Sequence, residues 1–458
     1  MIIAPYYAGK TVGVFGLART GIAAVQSLMS SGADVWAWDD DPARCRAVGN
    51  AAVNLYKADF NKLDYLVLAP GVPLTHPVPH ELVNKAHQSG VSIIGDMDIF
   101  QAARKELPHH QVVAITGTNG KSTTSALVAH IIKRSGRPVA LGGNIGTGLL
   151  SLDPLDEGGV YVIEVSSYQI DLMEEFSPDI AVLLNITPDH LDRHGDLAGY
   201  VKAKGRLFEL QDLAGTAISS FDDEFCLSLM GKVKAKLLPF STKAELQHGY
   251  SQRDGQITFV DGQYHQHIDD TANWPTLKGI HNVQNALAAT AVCMALELTV
   301  EEVQSGLQSF PGLEHRQEHI AAAHGVLFVN DSKATNVEAA SKALASFKNI
   351  HWIAGGRMKE DTLAGLYENL ANVKAAYLIG EAADKFAIEL EGKVSYEMCS
   401  TLDDAVERAA FAAEAGDVIL LSPACAAFDQ FANFEVRGDA FRAYVMGLDM
   451  FQENEKIA

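Results

Sequence analysis

The chain has 458 residues, 48% of them hydrophobic and 20% charged, with a net charge of −21. That length and composition suit about three ordinary α/β domains, and so acidic a chain with no basic run excludes nucleic acid or an anionic membrane as a partner. The five cysteines, at 45, 226, 293, 399 and 425, form no CxxC pair and no metal spacing, no apolar run approaches the roughly 18 residues that span a bilayer, and Met1 to Lys10 is too short and uncharged for a signal peptide, so a cytoplasmic protein is expected.

In residues 1–98, Lys10 to Gly21 reads as strand, glycine turn and helix start. A second strand, Asp34 to Trp38, runs into Asp39-Asp40-Asp41, and a third, Tyr65 to Leu68, into Ala69-Pro70-Gly71. This is a mononucleotide-binding βαβ layout. Gly16, Gly21 and Asp39 fit the dinucleotide fingerprint, but its middle position is Ala18, whose methyl group hinders approach to a pyrophosphate. The reading is a Rossmann-like nucleotide site that holds no dinucleotide, with a purely structural βαβ unit as the alternative.

Residues 99–312 are organised around Val112 to Ile115, a buried strand, followed by Thr116-Gly117-Thr118-Asn119-Gly120-Lys121-Ser122-Thr123 and a helical pattern that stops at Gly136. Glycines let backbone N–H groups curl toward an anion, and the unpaired amides of the following helix face it. Lys121 supplies charge to terminal phosphates and Ser122 a hydroxyl for magnesium. The usual phosphate-loop pattern has one more glycine, where this chain has Ile115. Leu141 to Thr147 is a second glycine-rich turn carrying Asn144. The strand Val160 to Glu164 ends in a carboxylate, where magnesium needs an oxygen ligand.

The strand Ile180 to Ile186 leads into Thr187-Pro188-Asp189-His190-Leu191-Asp192-Arg193-His194, a polar cluster too poor in cysteine to favour zinc. In the helix from Tyr200 to Phe208 the face at 197, 200, 204, 207 and 208 is apolar except for Lys204, which places an ammonium inward. Beside a divalent cation it would be repelled unless paired or chemically altered. Asp254-Gly255 and Asp261-Gly262 signal hairpins. Asn282 and Asn285 share one face at the start of a long alanine-rich helix, suited either to a heterocycle's edge or to capping.

Residues 313–458 begin after Phe310-Pro311-Gly312 and alternate strands near 326–330, 350–354, 376–379 and 417–422 with helical patterns, a third α/β unit. Polar clusters follow three of those strands: Asn330 to Asn336, Gly355 to Lys359, and Ser422 to Phe431. Ligands of open α/β sheets bind outside such strand ends.

Across the whole chain these motifs resemble the Mur ligase superfamily, ATP-dependent amide-bond-forming enzymes of bacterial cell-wall synthesis. The 330–336 and 422–431 clusters look like its D-glutamate-adding branch. The resemblance implies three α/β domains: a Rossmann-like UDP-sugar domain at 1–98, a central P-loop-type ATP domain at 99–312 and a Rossmann-like amino-acid domain at 313–458. It implies that Gly117, Thr118, Asn119, Gly120, Lys121, Ser122 and Thr123 hold the ATP phosphates, with Asn282 and Asn285 at the adenine. Arg316 and Asp331 would reach the nucleotide from the third domain, whose closure is implied, with hinges near 97–100 and 310–313. Ser122 and Glu164 would ligate one magnesium ion, His190 and a carbamylated Lys204 a second. Arg19, Thr20, Asp40 and Gly71 would take the uridine end of UDP-N-acetylmuramoyl-L-alanine, and Asn144 and Ser166 its muramoyl-alanine part. Lys333, Thr335, Lys359 and Phe434 would hold D-glutamate. The resemblance further implies a monomer without nucleic-acid or membrane partners. The alternative is another ligase of the superfamily or a folylpolyglutamate synthase. Two positions depart from the family: Ala427 stands where serine is usual, and Asp40-Asp41 where Thr-Arg is frequent.

Overall fold

The computed structural model describes residues 1–358 and 362–449. It divides into two compact units, one ending at Phe310 and one beginning at Pro311. Three sheets form the framework. The first contains β1 (Thr11–Phe15), β2 (Asp34–Trp38), β3 (Tyr65–Leu68) and β4 (Ser92–Ile94), in the order β2-β1-β3-β4 and parallel throughout. Its central strand is buried from Val12 to Phe15, as expected of a parallel sheet covered on both faces.

The second sheet has nine strands: β5 (His110–Thr116), β6 (Val139–Gly143), β7 (Gly159–Glu164), β8 (Ile180–Leu183), β9 (Thr216–Ser220), β10 (Lys236–Ser241), β11 (His248–Arg253), β12 (Gln256–Asp261) and β13 (Tyr264–Asp270). Their order is β13-β12-β11-β10-β9-β8-β5-β7-β6. The last three strands form an antiparallel meander that turns at Asp254-Gly255 and at Gly262, where the hairpin signals stand. The rest is parallel and puts the ends of β5, β7 and β8 side by side.

These two sheets share one core. Ile2, Val14 and Leu28 belong to the same buried cluster as Leu149, Tyr161 and Phe176. The Asp96–Ala103 helix joins the sheets, and its Met97, Ile99 and Phe100 are fully buried. Residues 97–100, expected to be a hinge, are therefore packed helix. A hinge must absorb large φ/ψ changes, which a helix sunk in a core resists.

The second unit is built on β14 (Glu318–Ala323), β15 (Val326–Asn330), β16 (Ile350–Gly355), β17 (Val373–Ile379), β18 (Ser395–Met398) and β19 (Val418–Leu421), in the order β14-β15-β19-β16-β17-β18. Only β14 runs antiparallel. It and β18 are edge strands that hydrophobic alternation does not announce, because each buries one face weakly. The ends of β15, β16 and β19 carry the three polar clusters of the sequence.

Candidate active site

The glycine loop links β5 to the Lys121–Arg134 helix. Gly120 adopts φ +84°, and a side chain there would collide with the Asn285 amide. That contact fixes the Ile280–Ala295 helix against the loop, as does the bond from Thr124 Oγ1 to Asn285 Oδ1 at 3.3 Å. Asn285 Nδ2 donates to Asn282 Oδ1 and Asn282 Nδ2 to the Lys278 carbonyl. Neither amide caps the first turn, whose N-cap is Gly279. From the other side Asn185 clamps the loop: its Oδ1 accepts from Asn119 N at 2.8 Å and its Nδ2 donates to Asn119 O at 3.1 Å. Thr118 N donates to Asn185 O, and Thr118 Oγ1 donates to the Thr187 carbonyl. Ser122 and Thr123 lie buried in the first helical turn. Asn185 was not anticipated, since a lone asparagine after a strand carries no motif.

Two ammonium groups converge on one backbone oxygen. Lys121 Nζ donates to Gly117 O at 3.0 Å and Thr118 O at 2.8 Å, and Lys204 Nζ donates to the same Gly117 O at 2.8 Å. Lys204 is only 2% exposed, on the inward face that the helical period specified, and lies over the Tyr200 ring. Burial and then the Lys121 charge hold its ammonium well below the usual lysine range. Glu164, also 2% exposed, accepts from Asn144 Nδ2 through Oε1 at 2.8 Å, while its buried Oε2 has no partner. His190, in the left-handed conformation at φ 52°, packs at a tilt against the Tyr168 ring, and burial lowers its pKa. No group of three or more His, Cys, Asp and Glu among the described residues could hold a metal by itself.

A cavity of about 680 Å³ lies between the first and second sheets. Arg19, Thr20, Asp40 and Gly71 line it from the first sheet, and Asn144, Ser166 and His190 from the second. Ser166 caps the Ser167–Asp171 helix through a capping box with Gln169. Arg19 Nη1 donates across the cavity to Gly146 O at 2.7 Å, and Tyr56 Oη donates to Asp40 Oδ1 at 2.7 Å. Asp39 is occupied with the turn itself, accepting from Leu17 N at 2.6 Å and Asp41 N at 2.8 Å. Arg44, Tyr168 and Gln169 also face the cavity. They come from helices of only five or six residues, too short to show a helical period in the sequence.

In the second unit the loop after β15 packs on the start of the Phe434–Gly447 helix. Lys333 Nζ sits 5.4 Å from the Phe434 ring centre, and Ser332 Oγ donates to Phe434 O at 2.8 Å. Thr335 follows in the same loop, its N–H donating to Lys333 O. Asp331 is buried, accepts from Ser422 Oγ at 2.8 Å and from Gln317 N at 3.2 Å, and is pushed up to about 7 by burial, against the pull of Ser422 and the Arg316 charge. Ala427 is buried beside the Cys425 carbonyl that Arg437 Nη2 holds at 3.0 Å. Lys359 lies outside the described residues.

Residues 115–293 match the Mur ligase middle domain and residues 315–425 the Mur ligase, glutamate ligase domain. The chain is 47% identical to the UDP-N-acetylmuramoylalanine--D-glutamate ligase of Nitrobacter winogradskyi, over 98% of each chain. It is also 47% identical to the protein of that name from Rhizobium meliloti, over 98% of this chain and 99% of the other. Among solved structures, UDP-N-acetylmuramate-alanine ligase MurC of Thermotoga maritima matches with a TM-score of 0.58 at 18% identity, covering 96% of this chain and 99% of that one. The MurF ligase of the same organism, in complex with ADP, matches with a TM-score of 0.57 at 18% identity, covering 100% and 98%. At such identities the likeness to these structures is one of fold.

Proposed function

The chain belongs to the Mur ligase family, and from that premise we propose that it joins D-glutamate to UDP-N-acetylmuramoyl-L-alanine while ATP is split to ADP and phosphate, an amide-bond-forming step of peptidoglycan precursor synthesis. The observation that carries the reading is the cavity that sets the nucleotide-type turn of the first sheet opposite Asn144, Ser166 and His190 of the second. A long substrate anchored at one end by a nucleotide reaches the phosphate-binding sheet with the other.

The reaction runs in two steps. The terminal phosphoryl group of ATP passes to the alanine carboxylate, forming an acyl phosphate. The amine of D-glutamate then attacks the carbonyl carbon, and phosphate leaves from the tetrahedral intermediate. Phosphoryl transfer needs alignment and charge neutralisation rather than a protein nucleophile. The loop amides from Gly117 to Thr123 and the Lys121 ammonium supply the alignment, with Asn282 and Asn285 at the adenine. In the second unit, Arg316 and Asp331 serve the nucleotide, and Lys333, Thr335, Lys359 and Phe434 serve D-glutamate.

The residues fit magnesium. Glu164 leaves one buried oxygen unpartnered, which with the Ser122 hydroxyl offers the oxygen ligands that magnesium prefers. His190 and Lys204 would hold a second ion, but an ammonium repels one. Burial shifts Lys204 toward the neutral amine, the form that can add carbon dioxide through a new N–C bond with loss of a proton, and the resulting carbamate would be an anionic ligand. Bound there, the ions would neutralise phosphate charge. The domain limits 1–98, 99–312 and 313–458, a monomeric state and a cytoplasmic location complete the proposal. No helix among the described residues is long and apolar enough to cross a membrane.

The test offers ATP, magnesium and UDP-N-acetylmuramoyl-L-alanine with a panel of amino acids. Phosphate release with D-glutamate is expected. Release with L-lysine, meso-diaminopimelate or D-Ala-D-Ala in its place would assign another branch of the family.

A further inference from the structure

Two arginines link the first and second sheets in opposite directions. Arg19 reaches from the first sheet to the Gly146 carbonyl. Arg193, three residues after His190, reaches back. Its Nη1 donates to Gly71 O at 2.9 Å, and its Nη2 donates to Val72 O at 3.0 Å and Pro70 O at 3.3 Å. Its guanidinium lies 4.5 Å from the centre of the Tyr168 ring, which in turn packs at a tilt against His190, 4.9 Å between ring centres. The Arg193 Nε is buried and has no partner. A single side chain thus grips three consecutive carbonyls of the turn that lines the nucleotide end, and a ring that lines the reacting end. The loop beyond that turn packs on the same segment: a side chain at Gly195 would meet the His76 ring at 2.8 Å.

The shared core also joins the two sheets, through contacts such as Ile2 N to Leu150 O. Arg193 adds a tie where Pro70, Gly71, Val72 and Tyr168 line the cavity.

We infer that Arg193 is a positioning residue that sets the distance between the nucleotide anchor and the reacting end, and so selects for a substrate of the right length. The inference rests on the proposed ligase reading. Its physical basis is bivalency: when two sites grip the two ends of one ligand, affinity depends on whether their spacing matches the ligand, while each end alone binds as before. Three directional bonds from a planar fork fix such a spacing better than a point charge does.

The experiment measures, by calorimetry, the affinity of the full chain and of Arg193→Ala and Arg193→Lys for uridine monophosphate and for UDP-N-acetylmuramoyl-L-alanine, alongside KM for ATP and D-glutamate. In Arg193→Ala the full substrate is expected to weaken at least about tenfold, a modest share of what a second attachment point contributes, while uridine monophosphate and KM for ATP and D-glutamate stay within about twofold. Arg193→Lys, which keeps the charge and loses the fork, should fall close to Arg193→Ala, and it decides the matter alone should the alanine variant not fold. Equal weakening of monophosphate and full substrate, a lysine variant like the unaltered protein, or no change in either variant each overturns the inference. Failure of the unaltered chain to bind the full substrate would instead overturn the ligase reading.

Discussion

Two turns in the first unit share one backbone recipe, strand then glycines then helix, and differ in the charge behind them. After β1, Gly16 and Gly21 are sterically required: a side chain at Gly16 would meet Ala69 at 2.6 Å, and one at Gly21 would strike the Gly16 carbonyl. Behind that turn sits the carboxylate of Asp39, spent on Leu17 N and Asp41 N. After β5, Gly117 and Gly120 make the same bend, but behind it two lysines share the Gly117 carbonyl. Glycines supply a shape that lets amides face a ligand. What separates the two is the charge behind the bend, the Asp39 carboxylate at one turn and the Lys121 ammonium at the other.

The comparison is broken most directly at the positive turn. Lys121→Ala should lower phosphate release by about 10³-fold, the scale of losing one preorganised electrostatic partner in the transition state. Its thermal midpoint should stay near that of the unaltered chain, because the side chain is held by carbonyls at the surface of the loop. A loss below about tenfold would show that the loop amides suffice. Lys204→Ala is the next largest, at about 10²-fold. Short carboxylic acids should restore part of it, and ¹³C-labelled bicarbonate should give a carbamate resonance in the unaltered chain that the variant lacks. Unaltered activity in Lys204→Ala would remove the carbamate from the mechanism.

Much of this contrast was legible in the sequence because it is local. The glycine loop is contiguous, and the inward position of Lys204 follows from helical spacing within a single element. What was not legible depends on long-range geometry. Arg193 acts on carbonyls 121 to 123 residues away, and any residue type can present a carbonyl. Asn185 likewise grips backbone atoms 66 residues distant. Asp39 stands where a ribose-binding acid belongs in a dinucleotide site, and only coordinates reveal that its oxygens are already engaged. The edge strands β14 and β18 were missed for a different reason. An alanine-rich run such as Ala321 to Ala323 carries too weak an alternation to oppose its helical propensity.

The second unit extends the contrast to a third strand end, where Asp331 follows β15. Burial raises its carboxyl to about 7 from an ordinary 3.8. A raised acid binds its proton more tightly when folded, so this group's contribution to stability is fully present at low pH and is lost as pH climbs through the window from about 4 to 7. The loss should be on the order of a few kcal/mol across that window, read as amide protection factors around residues 327–331 that fall at higher pH once the intrinsic exchange rate at each pH is divided out. Asp331→Asn should flatten the dependence, since an amide oxygen still accepts from Ser422. A slope that persists in the variant would place the titration elsewhere.

The smallest expected effect returns to the negative turn and has the opposite sign. Burial alone would raise Asp39, but the Asp41 and Leu17 amides and the Arg44 charge more than offset it and hold its carboxyl below the usual range. Its contribution is therefore present above the ordinary carboxylate pKa of about 3.9 and disappears as pH falls through the lower folded value. Asp39→Asn keeps one acceptor oxygen and loses the charge, so a loss of about 1 kcal/mol at pH 7 is expected, the scale of one charge-assisted hydrogen bond weakened to a neutral one. Chemical unfolding should show that difference shrinking towards zero in acid, while phosphate release at saturating substrates stays within about twofold. An Asp39→Asn variant that lost turnover as Lys121→Ala does would mean that the carboxylate touches the substrate, and the two turns would then differ in ligand rather than in charge behind a common shape.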